Sequence, residues 1–382
     1  MIKSIKVRLK PTKEQETLMF KSCGIARFTY NWGRAKWEDA YKQGQNPSKT
    51  IIRKEFNNVL KKDINYQWIK EVSAQVTSQA FEDLNTAYKN FFKGLSNYPK
   101  FKTKKNSKQS FYVRYDAIKF QDNKVNLEKI GKVKYKTNYN IPNLPKYNNP
   151  RCYFDGKYWY LTFGFEHNET KVGLNKDLSI GIDLGIKDLA ICSNGMTFKN
   201  INKTKKVKKT EKKLKRLQKQ VNRKYENNKI KKESENCYQL NKTNNMIKLE
   251  KQIKLVYRKL TNIRNNHLHQ ATNMIVKTKP SRVVMETLDI KGMMKNKHLS
   301  KAIAEQCLYE FKRQMQYKCE FNGIEFVEAD KWYPSSKTCS GCGHIKKELK
   351  LSDRVYICEE CGCVIDRDYN ASINLSRYRL VI

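Results

Sequence analysis

Apolar and charged residues alternate at the start of the chain. Ile5, Val7 and Leu9 are interleaved with charges, a period of two that predicts a half-buried strand ending at Pro11. Thr12-Lys13-Glu14-Gln15 then fits a capping box, and Leu18, Ile25, Phe28 and Trp32 follow at helical spacing. Helical patterning runs on to about residue 95, with Phe81, Leu84, Tyr88 and Phe91 as its last apolar stripe and Gly94 as its stop. From Tyr98-Pro99-Lys100-Phe101-Lys102 the character changes to short strands, at 111–120, 124–127 and 132–135. Asp155-Gly156, between Cys152-Tyr153-Phe154 and Tyr158-Trp159-Tyr160-Leu161, predicts a hairpin. The simplest organisation is a β-barrel-like domain made from the first strand and residues 98–170, with the helical block inserted into it.

In the second half, residues 178–192 read as a buried strand, a tight bend and a returning strand closed by Ser193-Asn194-Gly195. Residues 203–262 are rich in lysine, and Leu249, Ile253, Val256, Leu260 and Ile263 form a heptad-like seam. Leu214, Leu217 and Val221 offer a second seam, so a helical hairpin is expected, with lysines on its outer face. Residues 281–288 read as a β-branched strand, 300–321 as one buried helix stopped by Gly323, and 324–327 as another strand. Asp366-Arg367-Asp368-Tyr369-Asn370-Ala371 opens a final helix.

Charge changes the picture more than any element does. Among 382 residues, 78 Lys and Arg face 37 Asp and Glu, a net charge of +41. Such self-repulsion disfavours a compact state, and a polyanion, most simply a nucleic acid, relieves it. Cysteine usage points away from a disulfide framework. Cys23, Cys152, Cys192, Cys237, Cys307 and Cys319 are scattered singly, whereas five fall between 339 and 363, the distribution of a metal site in a reducing compartment. No run of about 18 apolar residues and no signal-type N-terminus is present, so an intracellular protein is expected.

Two constellations carry chemistry. Cys339-Ser340-Gly341-Cys342 and Cys358-Glu359-Glu360-Cys361 are CxxC knuckles separated by fifteen residues, the spacing of a structural zinc ribbon. Cys363 is an additional thiol beside them. The second constellation is acidic. Asp183 lies where a core strand would carry Val or Ile, so it is either neutralised by a cation or placed at a strand edge with access to water. Glu286 ends a later strand, and Asp366 or Asp368 starts the last helix. That order of elements is the one in an RNase H-like domain, in which three acids converge and can hold divalent ions about 4 Å apart.

The chain resembles TnpB, the transposon-encoded RNA-guided nuclease family related to compact type V CRISPR effectors. The resemblance runs nearly end to end. It is carried by Val7-Arg8-Leu9-Lys10-Pro11-Thr12, Ala26-Arg27-Phe28-Thr29-Tyr30-Asn31-Trp32, Ala87-Tyr88-Lys89-Asn90-Phe91-Phe92 and Gly181-Ile182-Asp183-Leu184-Gly185. Met285-Glu286, Trp332-Tyr333-Pro334-Ser335-Ser336-Lys337-Thr338-Cys339 and Asp368-Tyr369-Asn370-Ala371 complete it. It implies a multidomain α+β protein. Residues 1–11 and 98–172 would form a wedge β-barrel, and 12–97 an inserted helical recognition domain. Residues 173–338 and 364–382 would form a RuvC nuclease domain with a Lys-rich hairpin at 203–275, and 339–363 a zinc ribbon.

By position in the motifs, the resemblance assigns the acids as Asp183, Glu286 and Asp368, holding two magnesium ions, and leaves Asp366 to support the helix start. It assigns structural zinc to Cys339, Cys342, Cys358 and Cys361. Guide RNA and target DNA are the implied partners, of a monomeric protein–RNA complex in the prokaryotic cytoplasm and at the nucleoid. The expected activity is RNA-guided cleavage of DNA next to a short transposon-associated motif. In the helix through residues 75–81, Gln79 could read an adenine edge there or simply be solvated. Two rival functions fit parts of the pattern: a transposase acting on transposon ends, and a nuclease-silent RNA-guided repressor.

Overall fold

The computed structural model describes residues 2–167, 173–231, 238–350 and 352–378. The chain divides into two compact units, Met1–His167 and Asn168–Ile382.

In the first unit, strand β1 (Ile2–Lys10) is followed by three helices, α1 (Lys13–Lys42), α2 (Lys49–Asn58) and α3 (Ala74–Phe92). The capping box forms as the sequence predicts: Thr12 accepts from the Gln15 N–H at 3.2 Å, and the Gln15 side chain accepts from the Thr12 N–H at 3.1 Å. The stripe Phe81, Leu84 and Tyr88 is buried, and Gly94 takes a left-handed φ of 69° just beyond α3. Helices α1 and α3 meet at Gly33, where a Cβ would lie 2.9 Å from the Phe81 ring.

Strands β2 (Ser110–Tyr112), β3 (Lys119–Gln121), β4 (Lys124–Leu127), β5 (Gly131–Lys136), β6 (Asn148–Phe154) and β7 (Trp159–Glu166) join β1 in a seven-stranded sheet. Its order is β2-β6-β7-β1-β5-β4-β3, antiparallel throughout. The inward residues Ile5, Val7 and Leu9 are buried together with Trp159, Leu161 and Phe163. Among the described residues nothing pairs the edges β2 and β3, so the sheet is a half-barrel. One expectation is corrected here: the run 111–120 is not one strand. An Arg114–Asp116 ion pair at 2.6 Å marks a turn within it, and its two halves lie at opposite edges of the sheet.

The second unit is built on strands β8 (Asn175–Leu184), β9 (Asp188–Cys192) and β10 (Thr197–Lys199). Strand β9 is antiparallel to both β8 and β10, and β8 is paired in parallel with β13 (Pro280–Glu286), itself parallel to β14 (Glu325–Ala329). The order is therefore β10-β9-β8-β13-β14. Between β10 and β13 the chain makes helix α4 (Lys205–Asn227), the paired short strands β11 (Lys229–Lys231) and β12 (Tyr238–Leu240), and helix α5 (Asn244–Lys277). The predicted seams meet, with Leu214 and Leu217 of α4 buried against Val256 and Leu260 of α5.

After β13 come α6 (Ile290–Met293), α7 (Ser300–Gln306) and α8 (Leu308–Phe321). The single helix expected over 300–321 is broken at Cys307, which adopts a left-handed φ of 56°. The break accompanies a buried contact: the Gln306 side chain donates to the Gly185 carbonyl at 2.9 Å. Beyond β14, β15 (Val355–Ile357) and β16 (Val364–Asp366) pair in the cysteine-rich segment, and α9 (Arg367–Ser376) closes the described chain. Among the described residues, no helix is long and apolar enough to cross a membrane.

Candidate active site and cysteine cluster

Strand β8 is held tightly against α9 by what Gly181 lacks. A Cβ there would lie 2.0 Å from the Ser372 carbonyl oxygen and 2.3 Å from the Ser376 nitrogen. Ser179 reinforces the contact by donating to the Ser376 carbonyl at 2.7 Å. The helix therefore runs along β8 with its first turn toward the C-terminal end of the strand, where Asp183 sits. Glu286, the last residue of β13, reaches the same end, and its Oε1 accepts the Leu184 N–H at 3.3 Å. Strand register thus sets two carboxylates side by side, and the first turn of α9 brings Asp368 beside them. The bend after β8 does not require left-handed backbone at Gly185; its missing Cβ instead leaves room for the Asp188 carbonyl at 3.1 Å, whereas Gly195 does take a φ of 86°.

The three acids act on one another electrostatically. Removal from water pushes the Asp183 carboxyl well above the ordinary range, and the charges of Glu286 and Asp368 push it further. Burial also raises Glu286, to about 7; the Leu184 N–H opposes the shift and Asp368 adds to it. A cluster of acids that hold one another's protons on is one short of positive charge. Part of that charge is supplied at Asp368. Arg367 donates to its Oδ1 from Nη2 at 2.8 Å and from Nε at 3.0 Å, and Arg354 lies 3.6 Å from its Oδ2. Asp366, the other acid of the motif, is the N-cap of α9, accepting from the Asp368 and Tyr369 N–H groups at 3.0 Å each.

The four cysteines of the two knuckles have sulfurs within 4.8 Å of one another. Cys339 and Cys361 are 3.6 Å apart, and Cys342 and Cys358 3.5 Å. Tetrahedral zinc with bonds of about 2.3 Å requires sulfur–sulfur edges of about 3.8 Å, so the geometry fits that ion. The knuckles are built alike. Gly343 donates to the Cys339 carbonyl at 2.9 Å and Gly362 to that of Cys358 at 3.1 Å, both glycines at positive φ. Cys339 N–H donates to the His344 carbonyl at 2.8 Å, and Cys358 N–H to that of Cys363 at 2.9 Å. The backbone of Cys363 thus does for the second knuckle what His344 does for the first. At Cys339, burial disfavours the thiolate, but the N–H groups of Cys342 and Gly341 and the neighbouring thiols prevail and hold it at about 6.

Sequence reasoning missed the bonds that tie this cluster to the acids. Asn370, fully buried, accepts the Ser340 N–H at 2.9 Å and donates to the Thr338 carbonyl at 2.7 Å, clasping the backbone on both sides of Cys339. Asn374 donates to the carbonyls of Ser335 at 2.8 Å and Thr338 at 2.6 Å. Both asparagines belong to α9, the helix that carries Asp368. The alternation Asp366-Arg367-Asp368 hinted at a role for Arg367; nothing in the sequence pointed to Arg354.

Comparison with known proteins covers the chain in three pieces. Residues 165–297 match the family described as "Probable transposase", residues 309–375 the "Cas12f1-like, TNB domain", and residues 1–46 a "Helix-turn-helix domain". In this chain the last of these segments folds as a strand followed by one uninterrupted 30-residue helix. A protein of Streptomyces pristinaespiralis named "Putative RNA-guided DNA endonuclease" is 27% identical over 98% of the chain and 88% of its own length. "Putative RNA-guided DNA endonuclease InsQ" of Escherichia coli (strain K12) is 27% identical over 98% of the chain and 91% of its own. Among solved structures, the Cas12f1 chain of a complex with sgRNA and target DNA superposes over 98% of both chains with a TM-score of 0.57 at 14% identity, a likeness of fold. These matches, in the order of the motifs read from the sequence, support a TnpB family protein.

Proposed function

We propose that this protein is a transposon-encoded, RNA-guided DNA endonuclease that hydrolyses phosphodiester bonds at Asp183, Glu286 and Asp368. The observation that carries the proposal is the meeting of three carboxylates from β8, β13 and α9 at one end of a sheet ordered β10-β9-β8-β13-β14. That strand order, with its antiparallel meander and two parallel strands, is consistent with an RNase H-like (RuvC) nuclease unit inside the second compact unit. The half-barrel with its inserted helices would be the wedge and recognition domains.

The residues divide the work. Asp183 and Glu286 present hard oxygen ligands from two adjacent strands, and the Leu184 N–H fixes the orientation of Glu286. Arg367 and Arg354 hold Asp368 in place at the helix start. The mutual repulsion of the three acids fits a divalent cation site. Two magnesium ions there, when bound, would supply Lewis acidity and an activated water for in-line hydrolysis. The cysteine cluster would take structural zinc, with no ligand position left over for chemistry. Guide RNA would choose the target by base pairing, and the protein would read the short duplex motif. Gln79 suits that reading, because its amide is oriented by Asp83, itself held by Arg151 at 2.7 Å and 2.9 Å.

The test is to purify the full chain, sequence the RNA that accompanies it, and assay cleavage of matched DNA in magnesium. Asp183→Ala should abolish cleavage and leave the RNA bound; cleavage that survives would overturn the assignment. Strand transfer of transposon ends would favour a transposase instead, and guide-matched binding without cutting a repressor.

A further inference from the structure

Three aromatic residues gather where β14 leaves the sheet, and the structure uses only two of them internally. Tyr333 and Tyr378 pack edge to face with ring centroids 4.8 Å apart, and the Tyr333 hydroxyl donates to the Asn374 carbonyl at 3.1 Å. Between β14 and Tyr333 stands Trp332, which is 81% exposed. Large aromatic side chains ordinarily bury most of their surface, so a tryptophan left in solvent is informative.

The exposure does not come from a loosely held loop. The Trp332 N–H donates to Asp330 Oδ1 at 2.7 Å, the Asp330 N–H donates to the Tyr378 hydroxyl at 3.1 Å, and the Tyr333 N–H donates to the Asp330 carbonyl at 3.1 Å. The turn is braced on both sides, and the indole projects from it. Lys331 extends its ammonium 5.1 Å from the ring centre, so a cation accompanies the flat apolar face.

Its position relates it to the acids. Ala329, the last residue of β14, is the register partner of Glu286, and the Thr287 hydroxyl donates to the Ala329 carbonyl at 2.7 Å. Three residues of chain span at most about 11 Å and paired strands lie about 5 Å apart, so the Trp332 Cα stands within about 16 Å of the Glu286 Cα, a few nucleotides of extended single strand. A planar π-face beside an ammonium is the chemistry that receives an unpaired base and its phosphate, and such stacking does not depend on base identity.

We infer that Trp332 is a stacking platform for an unpaired base of the DNA strand that enters the carboxylate site, with Lys331 contacting its phosphate. The inference rests on the nuclease reading of that site. It assigns Trp332 a positioning role in substrate binding and no part in the hydrolysis.

The test uses the full chain carrying Asp183→Ala, with its co-purified RNA, and single-stranded oligodeoxynucleotides bearing 2-aminopurine at successive positions. Stacking quenches the fluorophore. A position of strong quenching is expected, lost in Trp332→Ala with affinity about 10-fold weaker or more, and largely retained in Trp332→Tyr. Absence of a quenched position, or quenching and affinity unchanged in Trp332→Ala, would overturn the inference. In the active protein, Trp332→Ala should raise KM for a single strand and leave kcat close to that of the parent. A parent that binds and quenches but does not cut in magnesium would refute the nuclease reading while sustaining the platform. A parent that cuts, with Trp332→Ala unchanged in KM, would refute the platform alone.

Discussion

The second unit carries two clusters of ionisable side chains, one of thiols and one of carboxylates, and they are made in opposite ways. The thiol cluster is local: four cysteines within 23 residues, on two knuckles of matching hydrogen bonding, converge because each CxxC turn already presents two sulfurs. The carboxylate cluster is non-local. Asp183, Glu286 and Asp368 are separated by more than eighty residues at each step, and only strand register and the packing of Gly181 under α9 bring them together. The thiol cluster is a closed set of four, and the acid cluster is compensated only in part, by Arg367 and Arg354 at Asp368. Asn370 and Asn374 join them, so the local cluster serves as a clamp for the helix on which the non-local one depends.

Perturbations should separate the two. The largest effect is expected from Asp183→Ala: cleavage falling by about a thousand-fold or more, the size of loss typical when transition-state charge stabilisation is removed, with zinc content and retained RNA unchanged. Zinc lost along with activity would mean that the clusters are not separable. Cys358→Ala acts on the other cluster. Structural zinc contributes about 10–16 kcal/mol in small zinc modules, so metal analysis should show zinc lost and limited proteolysis should cut first in residues 339–363, whereas the sheet persists by circular dichroism.

Asn370→Ala tests the joint. It leaves the buried Ser340 N–H without its acceptor, a cost of about 1–3 kcal/mol. The melting temperature should fall with zinc still bound, and the magnesium concentration for half-maximal cleavage should rise. A fall in stability with no change in magnesium requirement would mean that the clamp does not reach Asp368.

The acid cluster also predicts a pH signature. Glu286 is raised from an ordinary 4.5 to about 7, so the folded state holds its proton more tightly than the unfolded chain does. The stability this gives is present below about 4.5 and is lost as pH rises through about 7. Compared with Glu286→Gln, the parent should therefore lose stability across that window, by as much as about 3 kcal/mol, and added magnesium should restore it at pH 8. A difference independent of pH would argue against a crowded acid cluster. The smallest effect belongs to Asp366→Ala, which removes a helix cap worth about 1 kcal/mol. It should lower the melting temperature slightly and leave the magnesium requirement near that of the parent, and a large change in that requirement would recast Asp366 as a ligand.

The sequence announced some of these features and concealed others. Thr12 to Gln15 form a capping box because that motif is satisfied within one turn. The α4–α5 seam was likewise visible, because a repeat of four and three residues needs only a second helix to bury it. The unbroken helix over 300–321 failed for a tertiary reason: the bond from Gln306 to Gly185 and the left-handed Cys307 depend on a strand more than a hundred residues away. The run 111–120 failed because alternation shows that a strand has two faces but not which neighbour it pairs with, and its halves found opposite edges of one sheet.

By itself, then, the sequence determined what local chemistry suffices to determine: the caps, the helical stripes, the two CxxC knuckles with their glycines, and a net charge of +41 that calls for a polyanion. It also marked Asp183 as a carboxylate out of place in a core strand. The tertiary structure decided what that carboxylate faces. Register set Glu286 beside it, the absent Cβ of Gly181 let α9 deliver Asp368, and two arginines came to hold Asp368. Spacing along a chain fixes what meets within a turn or two, whereas groups eighty residues apart meet only where packing of the whole unit puts them.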